Sequence, residues 1–303
     1  MAAITRILCP VDFSEFSRRA LEQAVALGRE CRATVIALHA FAVAPVTDRI
    51  IVGAPLVPEP AHGSSELRIA LRSELRDFAN AVESGGVVLQ FDLPEGDPVD
   101  AIVRAAADHG ADLIVMGTHG RSGMDRLLLG SVAESVLRRA PCPVLTVPKR
   151  AVPAVSLAFA KILCAIDFSP ASLRALQYAA DLTPATVSGI TALHVVELIT
   201  GNGDGLPDDV ADSATDYREA FRLSALGRLQ TEVPAALGDD RNVRLLVTIG
   251  RPHREIVRVA DQEHCDVIVM GVEARSAADL LLFGSTTQHV LRGAPCPVLT
   301  VRC

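Results

Sequence analysis

RILCPVDFSEFSRRAL at residues 6–21 returns as KILCAIDFSPASLRAL at residues 161–176, and this return decides the fold. It places Asp167 on Asp12 at an offset of 155. Working outward, ALHA ending at Ala40 returns as ALHV ending at Val195 with the same offset of 155. DLIVMG ending at Gly117 matches DVIVMG ending at Gly271, and APCPVLTV at 140–147 matches APCPVLTV at 294–301, both with an offset of 154. One net residue is lost between the second and third anchors. Four anchors in one order mean two copies of a unit of about 150 residues, an ordinary domain size. The 303 residues therefore divide into domains at 1–150 and 156–303. The join lies near PKRAVPAVSLA at 148–158, where two prolines and small residues interrupt the periodicity.

Each copy alternates strand and helix patterns. In the first, the apolar run ITRILCPVD ends at Asp12, and SEFSRRALEQAVALGREC follows with apolar residues at helical spacing. Ser14 is a natural N-cap, and Phe16, Ala20, Ala24 and Leu27 trace the expected inner stripe. Next come strand ATVIALHA, a proline-rich loop through residue 63, a helix over 64–83 and strand VVLQFDL. A helix over 98–109, strand DLIVMG, a glycine-containing loop, a helix over 131–139 and strand PVLTV complete the copy. Five apolar strands with four crossovers predict an α/β fold in each copy: a five-stranded parallel sheet of order 3-2-1-4-5 with helices on both faces. In such sheets a ligand binds beyond the carboxyl ends of the strands, where the connections reverse direction. That point lies between the first strand, ending at Asp12, and the fourth, ending at Gly117.

Half of the chain is hydrophobic, 21% is charged and only 4% is aromatic, with no Trp and 2 Tyr. This excludes disorder as the main state and predicts an aliphatic core. A net charge of −7 offers no basic footprint for a phosphate backbone and stacking aromatics are scarce, which excludes nucleic acid as the main partner. AVPAVSLAFA at 151–160 is about half a membrane span and contains a proline, and Asp12 and Glu15 interrupt any signal-like apolar run. A soluble cytoplasmic protein without a membrane partner is the expectation. The seven cysteines form an odd, scattered set without CxxC, so no disulfide framework is expected; Cys9 and Cys164 read as small hydrophobes within strands.

After the fourth strand comes GTHGRSGMDRLLLGSVAESVL. Gly117 and Gly120 frame a turn, nine residues follow, and Gly130 and Ser131 open the next helix. Glycines let backbone approach an anion closely, and the first amides of a helix point at it with the positive end of the dipole. Ser131 adds a hydroxyl donor, and Arg121 and Arg126 can add positive charge. The loop is not a Walker A motif, since GK[ST] is absent, and neither copy has GxGxxG after its first strand. A GxxG alone says little. Followed by GS nine residues later, and set beside an Asp at the end of the neighbouring strand, it reads as a phosphate cradle.

With these residues the chain resembles the universal stress protein family, specifically its tandem members. The resemblance covers ILCPVDFS, ALHA, LIVMGTHG and LLLGSVAESVLRRAPCPVLTV in the first copy. In the second it covers ILCAIDFS, ALHV, VIVMG and LLLFGSTTQHVLRGAPCPVLTV. It implies Rossmann-like, adenine-nucleotide α-hydrolase-like domains that bind ATP, with Mg²⁺ as a candidate companion, and act in stress survival without a defined catalytic reaction. Carried over residue by residue, it places Asp12 at the ribose or its neighbourhood with Val11 packed nearby, the backbone of Ala40 at adenine and Gly117 at the ribose, with Met116 among the nucleotide-binding residues. Gly120, Gly130, Ser131 and Val132 fall at the phosphates, with His119 next to them. The equivalents kept in the second copy are Asp167, Gly271, Gly284 and Ser285. The second copy departs where it reads GVEARSAADLLLFGST: Glu273 replaces His119 and Ala274 replaces Gly120. A Cβ obstructs the turn and a carboxylate repels phosphate, so the first domain is expected to hold ATP and the second to hold it weakly or not at all.

Simpler readings stand beside these. Asp12 can serve as a cap for the following helix, and His119 reads as a hydrogen-bond donor rather than an acid–base catalyst. His39 and His194 read as satisfied strand-end residues, and Arg138 and Arg139 as cations suited to a helix C-terminus. His253, His264, Cys265, His289 and Cys296 gather in the second half without zinc-type spacing, so no metal site is expected. GNGDGLPDD at 201–209 lacks the ligand pattern of a calcium loop and reads as an acidic loop. Three functions remain open: a nucleotide-responsive regulator, a slow ATPase or nucleotidyl transferase using His119 or Mg²⁺ on Ser131, and a module whose second domain holds a different small ligand or metal. The last strands, APCPVLTVPK and APCPVLTVRC, are apolar edges that need cover, so the domains are expected to pair through them as a pseudo-dimer. The resemblance adds a homodimer of whole chains and an unnamed protein partner.

Overall fold

Successive side chains of a strand point to opposite faces, so Ile7 and Leu8, adjacent in β1 (Arg6–Pro10), enter two different cores. The computed structural model describes residues 4–42, 62–120, 129–148, 159–182, 189–197, 208–238, 241–273 and 284–302. The first half continues with α1 (Glu15–Cys31), β2 (Thr34–Leu38), α2 (His62–Asn80), β3 (Leu89–Asp92), α3 (Pro98–Asp108), β4 (Leu113–Gly117), α4 (Ser131–Arg139) and β5 (Val144–Val147). The second repeats the order as β6 (Ile162–Ala165), α5 (Pro170–Leu182), β7 (Ile190–Val196), α6 (Asp208–Leu237), β8 (Val243–Ile249), α7 (Pro252–Gln262), β9 (Val267–Val272), α8 (Ser285–Gly293) and β10 (Val298–Arg302).

All ten strands form one sheet of order β3-β2-β1-β4-β5-β10-β9-β6-β7-β8. Neighbours are parallel except at the centre, where β5 and β10 run antiparallel with Leu145 opposite Leu299. There Thr146 Oγ1 donates to Val298 O and Thr300 Oγ1 to Val144 O, both at 3.2 Å, so two edges that would otherwise face water are paired. Gln288 Nε2 donates to Glu134 Oε1 at 3.2 Å and Arg302 to Ala140 O at 3.2 Å across the same junction.

One core layer lies on the side of α1 and α5 and holds Ile7, Leu21, Val35, Val115, Leu176 and Leu299. The other lies under α3, α4, α7 and α8 and holds Leu8, Ile114, Leu137, Leu163, Ile268 and Val298. The largest fully buried side chains are all Ile or Leu, each contributing about 1.5–3 kcal/mol by leaving water. The scarcity of aromatics is therefore met by aliphatic packing between a sheet and its helices.

Several expectations shift in detail. Phe16 lies off the inner stripe of α1, whose buried residues include Ser17, Ala20, Leu21, Ala24 and Leu27. At 100° per residue, position 16 falls on the flank of that stripe, and its ring faces His119 at 5.2 Å instead. The second helix begins at His62 and ends at Asn80 rather than spanning 64–83. Asp208 and Asp209 begin α6 rather than belonging to an acidic loop, and the remainder of GNGDGLPDD lies outside the described residues. Most of the proline-rich loop and of the join at 148–158 also lie outside them, as do Arg121, Arg126 and Ala274.

Candidate functional site

The reversal between β1 and β4 opens a cleft of about 200 Å³ at the carboxyl ends of the strands. Its floor begins at Asp12. Asp12 Oδ1 accepts from the Ser14 amide at 3.1 Å and the Ser14 hydroxyl at 2.6 Å. The Ser14 hydroxyl in turn caps α1 by accepting from the Ser17 amide at 3.2 Å. Between them Phe13 takes the left-handed conformation, φ 64, which costs an L-residue about 1–2 kcal/mol. Its ring is held on His39 at 4.5 Å and on Phe78 at 5.6 Å. Asp12 thus does help to organise the start of α1, as the simpler reading has it, and also faces the cleft.

The glycines have separate reasons. A Cβ on Gly117 would lie 3.0 Å from the backbone of Phe16, so the end of β4 packs directly on α1. A Cβ on Gly120 would lie 2.7 Å from Asp12 Oδ2, and one on Gly130 would lie 3.2 Å from Thr118 O. The Gly130 amide donates to that same carbonyl at 2.8 Å, which draws the start of α4 against the end of β4. Gly130 caps α4 without a side-chain bond, and among the described residues the first-turn amides of Ser131 and Val132 have no partner, so they are available to a ligand.

His119 carries the strongest signal. Its Nδ1 lies 2.9 Å from the buried Thr118 hydroxyl, and its Nε2 is buried without a partner among the described residues. With the hydroxyl donating, Nε2 bears the ring proton and becomes a donor awaiting an acceptor. Leaving such a group unsatisfied costs about 1–3 kcal/mol, which an acceptor oxygen in the cleft would recover.

All ten first-domain candidates, Val11, Asp12, Ala40, Met116, Gly117, His119, Gly120, Gly130, Ser131 and Val132, come together around this one cleft. Sequence reasoning missed Pro10, Ser17, Leu38, Pro98, Ile102 and Ala133 as lining residues. It also placed His39 only as a strand-end residue. His39 Nδ1 does donate to Val11 O at 2.7 Å, and the ring also borders the cleft. The recurrence of His39 as His194, and of Pro98 as Pro252, was the available signal.

A second cleft of about 540 Å³ opens at the matching place in the second half and brings together Asp167, Gly271, Gly284 and Ser285. Asp167 Oδ1 accepts from the Ser169 amide at 3.0 Å and hydroxyl at 2.6 Å, and Phe168 repeats the left-handed turn at φ 64. Burial alone would raise the Asp167 carboxyl, but the bonds from Ser169 and Ser172 outweigh it and hold the group below the usual carboxylate range. A Cβ on Gly271 would meet the Ala171 backbone at 2.2 Å, whereas one on Gly284 meets nothing within 4 Å among the described residues. Glu273 stands at the rim in place of His119, and Thr286 and Thr287 replace Val132 and Ala133.

Beside this cleft the His253 and His289 rings stack with their centroids 4.5 Å apart and 30° between their planes. Burial, then His289, Arg254 and Arg251, hold His253 below the usual imidazole range. Burial pushes the Cys265 thiol up to about 11 and the Cys296 thiol up to about 12, so both stay protonated at neutral pH. Among the described residues no three His, Cys, Asp or Glu side chains are placed to share a metal ion, and no helix is long and apolar enough to cross a membrane.

Two mostly parallel α/β units, each with a cleft at its switch point, define a tandem Rossmann-like protein. The universal stress protein family model matches residues 3–148 and again 158–302, and the chain belongs to that family. It is 39% identical over 149 residues to a universal stress protein of Methanocaldococcus jannaschii, covering 48% of this chain and 82% of the relative. It is 29% identical over 220 residues to one of Mycobacterium bovis, covering 71% of this chain and 69% of the relative. The crystal structure of a universal stress protein from Archaeoglobus fulgidus superposes over 98% of both chains with a TM-score of 0.67 at 27% identity.

Proposed function

We propose that the first cleft binds ATP, with Mg²⁺ as its companion, and that the protein is a nucleotide-responsive stress regulator rather than an enzyme. The observation that carries this reading is the buried, unpartnered His119 Nε2, set beside the glycine cradle and the uncapped start of α4. These are donors to an anion, and the apolar end formed by Leu38, Ile102 and Met116 suits a flat base. In this reading Asp12 binds the ribose, Ala40 meets adenine through its backbone, and His119, Gly120, Gly130, Ser131 and Val132 bind the phosphates. Ser131 is the residue offered to the metal.

The domain limits are 1–150 and 156–303, and the β5–β10 pairing supports an intramolecular pseudo-dimer. A homodimer of whole chains, a protein partner and a cytoplasmic location complete the reading. The test is incubation of the full chain with radiolabelled ATP and Mg²⁺ beside a Gly120→Ala, Gly130→Ala variant. Retention of intact ATP by the native chain, lost in the variant, is expected. Loop-dependent turnover would make the protein an ATPase or nucleotidyl transferase instead, and equal retention by both would remove the nucleotide from this cleft.

A further inference from the structure

We propose that Thr118 is a positioning residue for the first cleft: its buried hydroxyl sets the ring tautomer of His119 and so makes Nε2 a standing donor to the ligand. This rests on the reading of that cleft as a nucleotide site and deepens it, because it names the group that prepares a neutral side-chain donor for phosphate.

Thr118 follows the last residue of β4 and is 3% exposed. Its Oγ1 lies 2.9 Å from His119 Nδ1 and has no other partner among the described residues. Two placements of the protons fit that distance. When the imidazole donates from Nδ1, the threonine proton is buried without an acceptor and the Nε2 lone pair is buried without a donor. When the hydroxyl donates to Nδ1, its one proton is used, and the Nε2 proton is the orphan of the pair among the described residues. The first placement leaves one more buried group unmet, which disfavours it about 5- to 150-fold. A ligand oxygen at Nε2 widens the difference, since only the second placement has a proton to give it.

The threonine is itself held in place. Its amide donates to Val147 O at 3.3 Å, and its carbonyl accepts from the Gly130 amide at 2.8 Å. The hydroxyl that sets His119 therefore belongs to the residue that draws the start of α4 against the end of β4. Both halves of the phosphate cradle, the imidazole and the helix start, share this one anchor. The Phe16 ring packs on the imidazole at 5.2 Å and restricts its rotation. In the second copy the pair is replaced as a unit, with Val272 at the position of Thr118 and Glu273 at that of His119. Where no imidazole needs a tautomer, no hydroxyl is kept beside it. Valine has the branched shape of threonine without its hydroxyl, and Val272 at the end of β9 shows that this place in the fold accepts it.

Long-range proton–nitrogen NMR spectra of the full chain, labelled with ¹⁵N-histidine and read at mildly alkaline pH, report the tautomer, and His119→Leu identifies the signal by its loss. The expected result is a proton on Nε2 in the native chain and in Thr118→Ser, and its partial transfer to Nδ1 in Thr118→Val. In titration with a fluorescent ATP analogue, Thr118→Val is expected to weaken binding about 10-fold, while Thr118→Ser stays within about 3-fold of native. Added to His119→Leu, Thr118→Val is expected to change the remaining affinity by less than about 2-fold, because the hydroxyl then has no imidazole to set. A native proton on Nδ1, a tautomer unmoved by Thr118→Val, or the same loss of affinity with and without His119 overturns the proposal and leaves the first-cleft reading standing. A native chain that binds no ATP rejects the first-cleft reading, while an Nε2 proton that shifts in Thr118→Val still supports the setting of His119 by Thr118.

Discussion

Gly120→Ala adds one methyl group where the structure leaves no room for it. Gly120 is not among the glycines with left-handed backbone, so alanine is conformationally allowed and its effect is purely one of space. The new Cβ would sit 2.7 Å from Asp12 Oδ2, well inside the ordinary carbon–oxygen contact of about 3.3 Å or more. Relief requires the Asp12 carboxylate to turn away, but its other oxygen accepts from the Ser14 amide at 3.1 Å and hydroxyl at 2.6 Å. Breaking a hydrogen bond to a charged group costs about 1.5–3 kcal/mol, so either the turn holding Asp12 or the loop at Gly120 must give. The expected loss of ATP affinity is about 10- to 100-fold, read by titration with a fluorescent ATP analogue, with the circular dichroism spectrum unchanged. An affinity within 2-fold of native would refute the claim that Asp12 and Gly120 form one rigid wall of the site.

Three further outcomes follow from the same geometry. Gly271→Ala drives a Cβ to 2.2 Å from the Ala171 backbone and should destabilise the chain by about 3 kcal/mol or more, whereas Gly284→Ala, whose Cβ meets nothing within 4 Å among the described residues, should cost less than about 1 kcal/mol in chemical denaturation. Gln288→Glu replaces the 3.2 Å amide donor to Glu134 with a second carboxylate at the domain junction. It should lower the melting temperature by about 2–4 °C per kcal/mol lost, and the loss should shrink at acid pH as the pair takes up a proton. Because His253 is held below its ordinary range, the unfolded chain binds its proton at higher pH than the folded chain. Stability should therefore fall as pH drops through about 6.5, and thermal melts of His253→Asn should show a shallower slope between pH 7 and pH 5. An unchanged slope would assign that dependence to another group.

How far the sequence reaches depends on which contacts are local and which are brought together by folding. The offset repeat is periodic information, so the two copies, their strand patterns and the pairing of Asp12 with Asp167 and Gly117 with Gly271 can be read directly. Ser14 as the cap of α1 is legible for the same reason, since its bond reaches only three residues along the chain. Phe16 is not: its apolar character fits a core stripe, and only the packing of β4 on α1 shows that its ring belongs to the His119 loop. The role of Gly120 was legible as a need for space, but the group demanding that space, Asp12 Oδ2, comes from a different strand end. Glu134 and Gln288 are the same position in the two copies, yet their contact appears only once β5 and β10 are placed side by side.

The most direct measurement is the mass of the small molecules released when the full chain is purified natively, compared with a His119→Leu, Gly120→Ala variant. The account predicts intact ATP at about one equivalent per chain from the native protein and none from the variant. Native protein that carries no nucleotide and binds none on addition of ATP with Mg²⁺, or a variant that retains it fully, would contradict the assignment of the His119 cleft as the nucleotide site.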